Sequence, residues 1–166
     1  MLLLISDANI LIDIEAGDLI APMFSLGYQF VVPDVLFYEE LEEQHAYFLD
    51  LGLQVRGIDE SGIERVLDLG RNYKKPSRND LFALVLAERE KCPLLTGDAE
   101  LRKAAEAETL QVNGTLWLIE KMICEKRITT MVARAALKKM QNSERRLPWS
   151  LAEKMLSSFD GGQCLE

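Results

Sequence analysis

Five acidic residues stand at positions from which they can do chemistry. Asp7 follows the apolar run 2–5, and Asp98 follows the run 93–96 after a threonine and a glycine. Glu39 and Glu40 come about a turn and a half into the segment after run 28–32, and Asp80 closes a basic stretch. Carboxylates that converge repel, and each is raised in pKa unless positive charge compensates. A hard divalent cation removes that penalty, and an all-oxygen site suits Mg2+ or Mn2+. Hydrolysis at phosphorus is the chemistry such a site supports. Zinc is disfavoured, because one histidine, His45, and three scattered cysteines, Cys92, Cys124 and Cys164, cannot build a Cys/His site of ordinary spacing.

The elements that must position these acids alternate between short apolar runs and segments of helical period. Residues 2–5, 28–32, 53–58, 93–96 and 109–112 read as strands. Helices are predicted over 10–16, 18–26, 34–50, 60–69, the segment before Pro93, 98–107 and 116–125. Two further helices, near 130–141 and 150–158, finish the chain. Strands separated by helices pair in parallel, because each crossover returns the chain to the same end of the sheet. The expected fold is a three-layer α/β/α sandwich with a mostly parallel, about five-stranded sheet. It occupies residues 1–125, with 126–166 as a helical extension packed on it. Reactive groups in such sheets gather beyond the carboxyl ends of the strands. Asp7, one of the two glutamates, Asp80 and Asp98 therefore converge from four separate elements.

Five strings in this order resemble the motifs of PIN domains. Ile5-Ser6-Asp7-Ala8-Asn9-Ile10-Leu11 is similar to the family's opening, and Val32-Pro33-Asp34-Val35 through Glu40-Leu41 resembles the second motif. There the functional glutamate directly precedes a leucine, which selects Glu40 over Glu39. Asn79-Asp80-Leu81 through Ala87 resembles the third motif, Leu94 through Arg102 the fourth, and Val112-Asn113-Gly114-Thr115-Leu116 the usual Gly-Thr join to a helix. The resemblance implies a metal-dependent endoribonuclease. It also implies a Mg2+ or Mn2+ site on Asp7, Glu40, Asp80 and Asp98, with Asn9 and Thr96 as supporting polar residues. Members of the VapC group, which it also resembles, are toxins with an antitoxin partner, and a homodimer suits the family. The tail beyond Ile128 is longer than a minimal toxin needs and resembles stand-alone PIN proteins.

Charge divides the chain. Residues 1–70 carry a net −12 and residues 71–166 a net +4, within a total of −8 over 166 residues. A uniformly basic, nucleic-acid-coating surface is excluded. Arg71, Lys74, Lys75 and Arg78 are uninterrupted by acids and lead into Asp80, so this loop is expected to guide RNA phosphates, with Tyr73 as the base-stacking candidate. Lys138, Lys139, Arg145 and Arg146 extend that path or meet an acidic partner. No run approaches a membrane span, the apolar opening lacks the marks of a leader, and the expected location is the cytoplasm. Two other readings compete. One is a non-catalytic RNA- or protein-binding PIN module. The other is an aspartyl-nucleophile phosphohydrolase, disfavoured because Asp7-Ala8-Asn9 lacks a second aspartate.

Overall fold

A computed structural model describes residues 1–162, so Cys164 lies outside the described residues. The chain runs β1 (Leu2–Ser6), α1 (Ala8–Ala16), α2 (Ile20–Phe24), β2 (Tyr28–Pro33), α3 (Asp34–Leu36), α4 (Glu42–His45), α5 (Phe48–Leu51) and β3 (Gln54–Arg56). It continues through α6 (Glu60–Asn72), α7 (Arg78–Glu90), β4 (Leu94–Leu95), α8 (Ala99–Ala107), β5 (Val112–Asn113), α9 (Thr115–Cys124), α10 (Thr130–Asn142) and α11 (Trp149–Asp160). The five strands form one sheet in the order β3-β2-β1-β4-β5, and every pairing is parallel.

Side-chain alternation along the strands builds the two faces. Leu4, Phe30, Val32 and Leu95 point into one cluster with α1, α2, α9, α10 and α11. Ile5, Val31 and Leu94 point into the other, where α6, α7 and α8 pack. The result is the expected three-layer α/β/α sandwich. α7 is wedged deepest: Leu81, Ala83, Leu84, Val85, Leu86 and Ala87 are all buried, so it carries apolar residues on more than one face. The C-terminal helices join the first cluster directly through Ala133, Ala136, Leu137, Met140, Ala152 and Leu156. At Gly17 a Cβ would stand 3.2 Å from the Cβ of Ala136 and 2.6 Å from Met140 Cε, so glycine lets α10 close on the end of α1.

Local structure departs from the sequence reading in three places. The helix expected over 34–50 is broken into α3, a π-helical turn over Phe37–Leu41, α4 and α5. Within it the Glu42 N–H reaches back to Phe37 C=O, one residue beyond the α-helical partner. Gly70 does not end α6, which runs to Asn72, because Gly70 sits beside Leu81 in the α6–α7 contact. The fifth strand lies later than 109–112, at Val112–Asn113, because Thr109 is taken by a left-handed turn at φ 66°. Among the described residues no helix is long and apolar enough to cross a membrane.

Candidate active site

The sheet order sets the site. β1 is followed in the chain by β2 on one side, whereas β4 pairs on its other side, so the crossover direction reverses between β1 and β4. Beyond the carboxyl ends of those two strands is the crevice where open α/β sheets bind ligands. Asp7 leaves β1 there and caps α1, its Oδ1 accepting the Ile10 N–H at 3.0 Å. Asp98 follows β4 and caps α8, accepting the Leu101 N–H at 2.7 Å. Thr96 stands between them, fully buried. Its hydroxyl donates to Asp7 Oδ2 at 2.5 Å and accepts the Asp98 N–H at 3.0 Å. Because the hydroxyl accepts on one side, its only proton is directed at Asp7.

Asp80 enters from the start of α7. It forms a capping box with Ser77: Oδ2 accepts the Ser77 N–H at 3.0 Å, and the Asp80 N–H donates to Ser77 Oγ at 3.1 Å. Glu40 enters from the π-helical turn. Its Oε2 accepts from Asn79 Nδ2 at 3.0 Å, and the same amide donates to Glu39 Oε2 at 2.9 Å. The Asn79 Oδ1 atom is buried and has no protein donor among the described residues.

Electrostatics set Asp7 apart. It is 2% exposed, and burial pushes its carboxyl up to about 7, against the pull of the Thr96 hydroxyl and the Ile10 N–H. The charges of Asp80 and Asp13 push further in the same direction. Asp80 is also raised, first by burial and then, after the opposing Ser77 contacts, by Asp98. The charge of Asp80 thus bears on Asp7, and that of Asp98 on Asp80.

A family model described as DUF3368, a PIN domain, matches residues 3–161. The chain belongs to the PIN domain family. The match runs through α10 and α11, so the helical tail lies within the family's extent. This PIN domain is similar to a solved PilT N-terminus domain protein, SSO1118, from the hyperthermophilic archaeon Sulfolobus solfataricus P2. The identity is 14% and the TM-score 0.49, over 74% of this chain and 94% of that one. No curated protein matches the chain.

The donor chemistry of this PIN domain fits a hard divalent ion: the acids offer only oxygen, and the raised Asp7 lacks a counter-charge. Among the described residues no group of three or more acids, histidines or cysteines stands placed to hold a metal ion as the side chains lie. Asp7, Asp80 and Asp98 share the crevice, while Glu40 stands exposed at its rim, tied to the residue before Asp80.

The basic loop is more engaged than its sequence suggests. Arg71 pairs with Asp68 at 2.7 Å, Lys75 with Glu100 at 3.7 Å, and Arg78 with Glu39 at 2.6 Å. Lys74 has no acid partner among the described residues. Tyr73 is half-buried against the α6–α8 side of the core and donates to Glu108 Oε1 at 2.9 Å, so its ring is not a free stacking platform. In the second basic group, Lys139 pairs with Asp18 at 2.8 Å and Arg145 with Asp13 at 2.6 Å.

Sequence reasoning passed over Asp13, Thr115 and Asn79. Asp13 lies on α1 beside the buried Ile10, Leu11 and Ile14 and is itself 5% exposed. A lone acid on an apolar helix face demands a buried partner, which was the available signal. The Ser77-x-x-Asp80 spacing likewise signals a capping box.

Proposed function

We propose that this PIN domain is a metal-dependent endoribonuclease acting on cytoplasmic RNA. The buried Asp7 at the switch point of the sheet, with Asp80 acting on it and Asp98 acting on Asp80, carries the reading. Asp7, Asp80, Asp98 and Glu40 would hold Mg2+ or Mn2+, which when bound activates water and offsets charge on the phosphodiester. Thr96 orients the Asp7 carboxylate and the Asp98 backbone together. With its carboxyl near 7, Asp7 is poised to exchange a proton for a cation at neutral pH. Exposure of Asp98 and Glu40 leaves the edge open, which suits attack within a strand rather than at an end. Lys74, helped by Arg71, Lys75 and Arg78 once phosphate competes for them, lies along the approach to Asp80.

In this reading residues 1–125 carry the nuclease machinery and 126–166 brace it. A toxin role, with an antitoxin partner and a homodimeric assembly, is the finer form that the VapC resemblance implies. The direct test is cleavage of single-stranded RNA with Mg2+ or Mn2+, with and without chelator, for wild type and Asp7→Asn. Chelator-sensitive cleavage lost in the variant supports the reading, and chelator-resistant cleavage that survives the substitution overturns it. RNA binding and metal uptake without cleavage would make the chain a binding module. Growth arrest on expression, relieved by Asp7→Asn, tests the toxin role.

A further inference from the structure

The tail reaches the site through one side chain. α10 ends at Asn142, and Glu144 takes a left-handed conformation at φ 60° while the Arg145 N–H closes back on Met140 C=O at 2.9 Å. This turn sends the Arg145 guanidinium onto α1. Its Nε donates to Asp13 Oδ1 at 2.6 Å, and the other Asp13 oxygen accepts from Thr115 Oγ1 at 3.0 Å. Asp13 and Thr115 are each 5% exposed, so the planar fork is anchored in the interior. The free arm of the fork, Nη2, donates to Asn9 Oδ1 at 3.3 Å.

Asn9 is exposed on the first turn of α1, two residues beyond Asp7. Arginine only donates, so Asn9 must turn its carbonyl oxygen to Arg145. Its NH2 group is then left outward, with no acceptor among the described residues. The exposed acids at the mouth, Asp98 and Glu40, repel a phosphodiester, and an amide donor is what a phosphate oxygen accepts from.

We propose that Arg145 is a positioning residue which turns the Asn9 amide so that its NH2 group donates to a phosphate oxygen of the bound RNA backbone. The proposal rests on the nucleolytic reading of this site, but it is read through binding. Wild type, Arg145→Lys, Asn9→Ala and the double variant are titrated with a labelled single-stranded RNA in chelator, where no metal-activated water can hydrolyse it, by fluorescence anisotropy at fixed salt. Lysine keeps the charge beside Asp13 but loses the rigid fork. Each single variant is expected to bind about tenfold more weakly, and the double variant no more weakly than either single one. Arg145→Lys binding like wild type, or an effect of the same size persisting in the Asn9→Ala background, overturns the proposal. Should Arg145→Lys fail to fold, Asn9→Asp decides: it strengthens the Arg145 contact while replacing the donor by an acceptor. Wild-type-like RNA binding by Asn9→Asp overturns the relay, and so does a wild type that binds no RNA. Tight binding by a wild type that cleaves no RNA removes the nuclease reading alone.

Discussion

Thr96 Oγ1 lies 2.5 Å from Asp7 Oδ2, so the most buried acid of the crevice is held from the neighbouring strand's end and not from its own helix alone. Replacing the hydroxyl by a methyl, Thr96→Val, keeps the shape and strips Asp7 Oδ2 and the Asp98 N–H of their partner. The expected cost is about 1–3 kcal/mol of stability, read in urea. Because the Thr96 bond lowers the Asp7 carboxyl, its loss moves the rising limb of the cleavage–pH profile to more alkaline pH. An unmoved profile would detach Asp7 from the rate.

The Asp7 carboxyl predicts an inverted dependence of stability on pH. It titrates near 7 in the fold and near 3.8 ordinarily, so between those values the native protein holds a proton that the unfolded chain has released. Metal-free stability therefore falls as pH rises through that window, and the full penalty is in place above 7. Asp7→Asn should raise the unfolding free energy from urea melts at pH 8 by on the order of 2–4 kcal/mol and change it little at pH 4. Parallel melts at the two pH values check the sign.

Metal should show the same linkage from the other side. Mg2+ competes for the deprotonated carboxylate, so it is expected to raise Tm of the wild type more at pH 8 than at pH 6. Asp7→Asn should show little or no Mg2+ response at either pH. Equal Mg2+ responses in the two proteins would place the ion elsewhere.

On the proposed RNA path, Glu39 would compete with phosphate for Arg78. Asn79 and Arg78 hold its carboxyl below the usual range, and the Arg78 pair measures 2.6 Å in the open. In an Asp7→Asn background that prevents cleavage, Glu39→Gln should tighten RNA binding about threefold near 50 mM salt and steepen the salt dependence by about one unit. Titrations between 50 and 200 mM salt give both numbers.

Thr109 is a strained turn residue on the α8–β5 connection, β-branched at φ 66°. Thr109→Asn removes the side-chain clash without glycine's entropy and should stabilise by roughly 0.5–1 kcal/mol. Its position at the amino end of the sheet predicts unchanged cleavage, which a rate assay alongside the melt checks.

Strand–helix alternation made the sandwich legible, and the motif order made Asp7, Asp80 and Asp98 legible as companions. Periodicity could not register the π-helical turn, because one extra backbone residue leaves no mark on an acidic run such as Glu39 to Glu43. The pairings of Arg78 with Glu39 and Arg145 with Asp13 were hidden for a different reason: the partners lie 39 and 132 residues apart. A basic run read alone looks solvated, and only the fold reveals which acids face it.

Those separations also decide when the site can exist. Asp7 meets Thr96 across 89 residues, and Asp13 meets Thr115 across 102 and Arg145 across 132. A growing chain holds Asp7 long before Thr96, and the bond between them waits for β4 to dock beside β1. The outward amide of Asn9 is set later still, when the turn after α10 emerges. The crevice is thus a late product of folding, closed by residues far along the chain from the acid it surrounds.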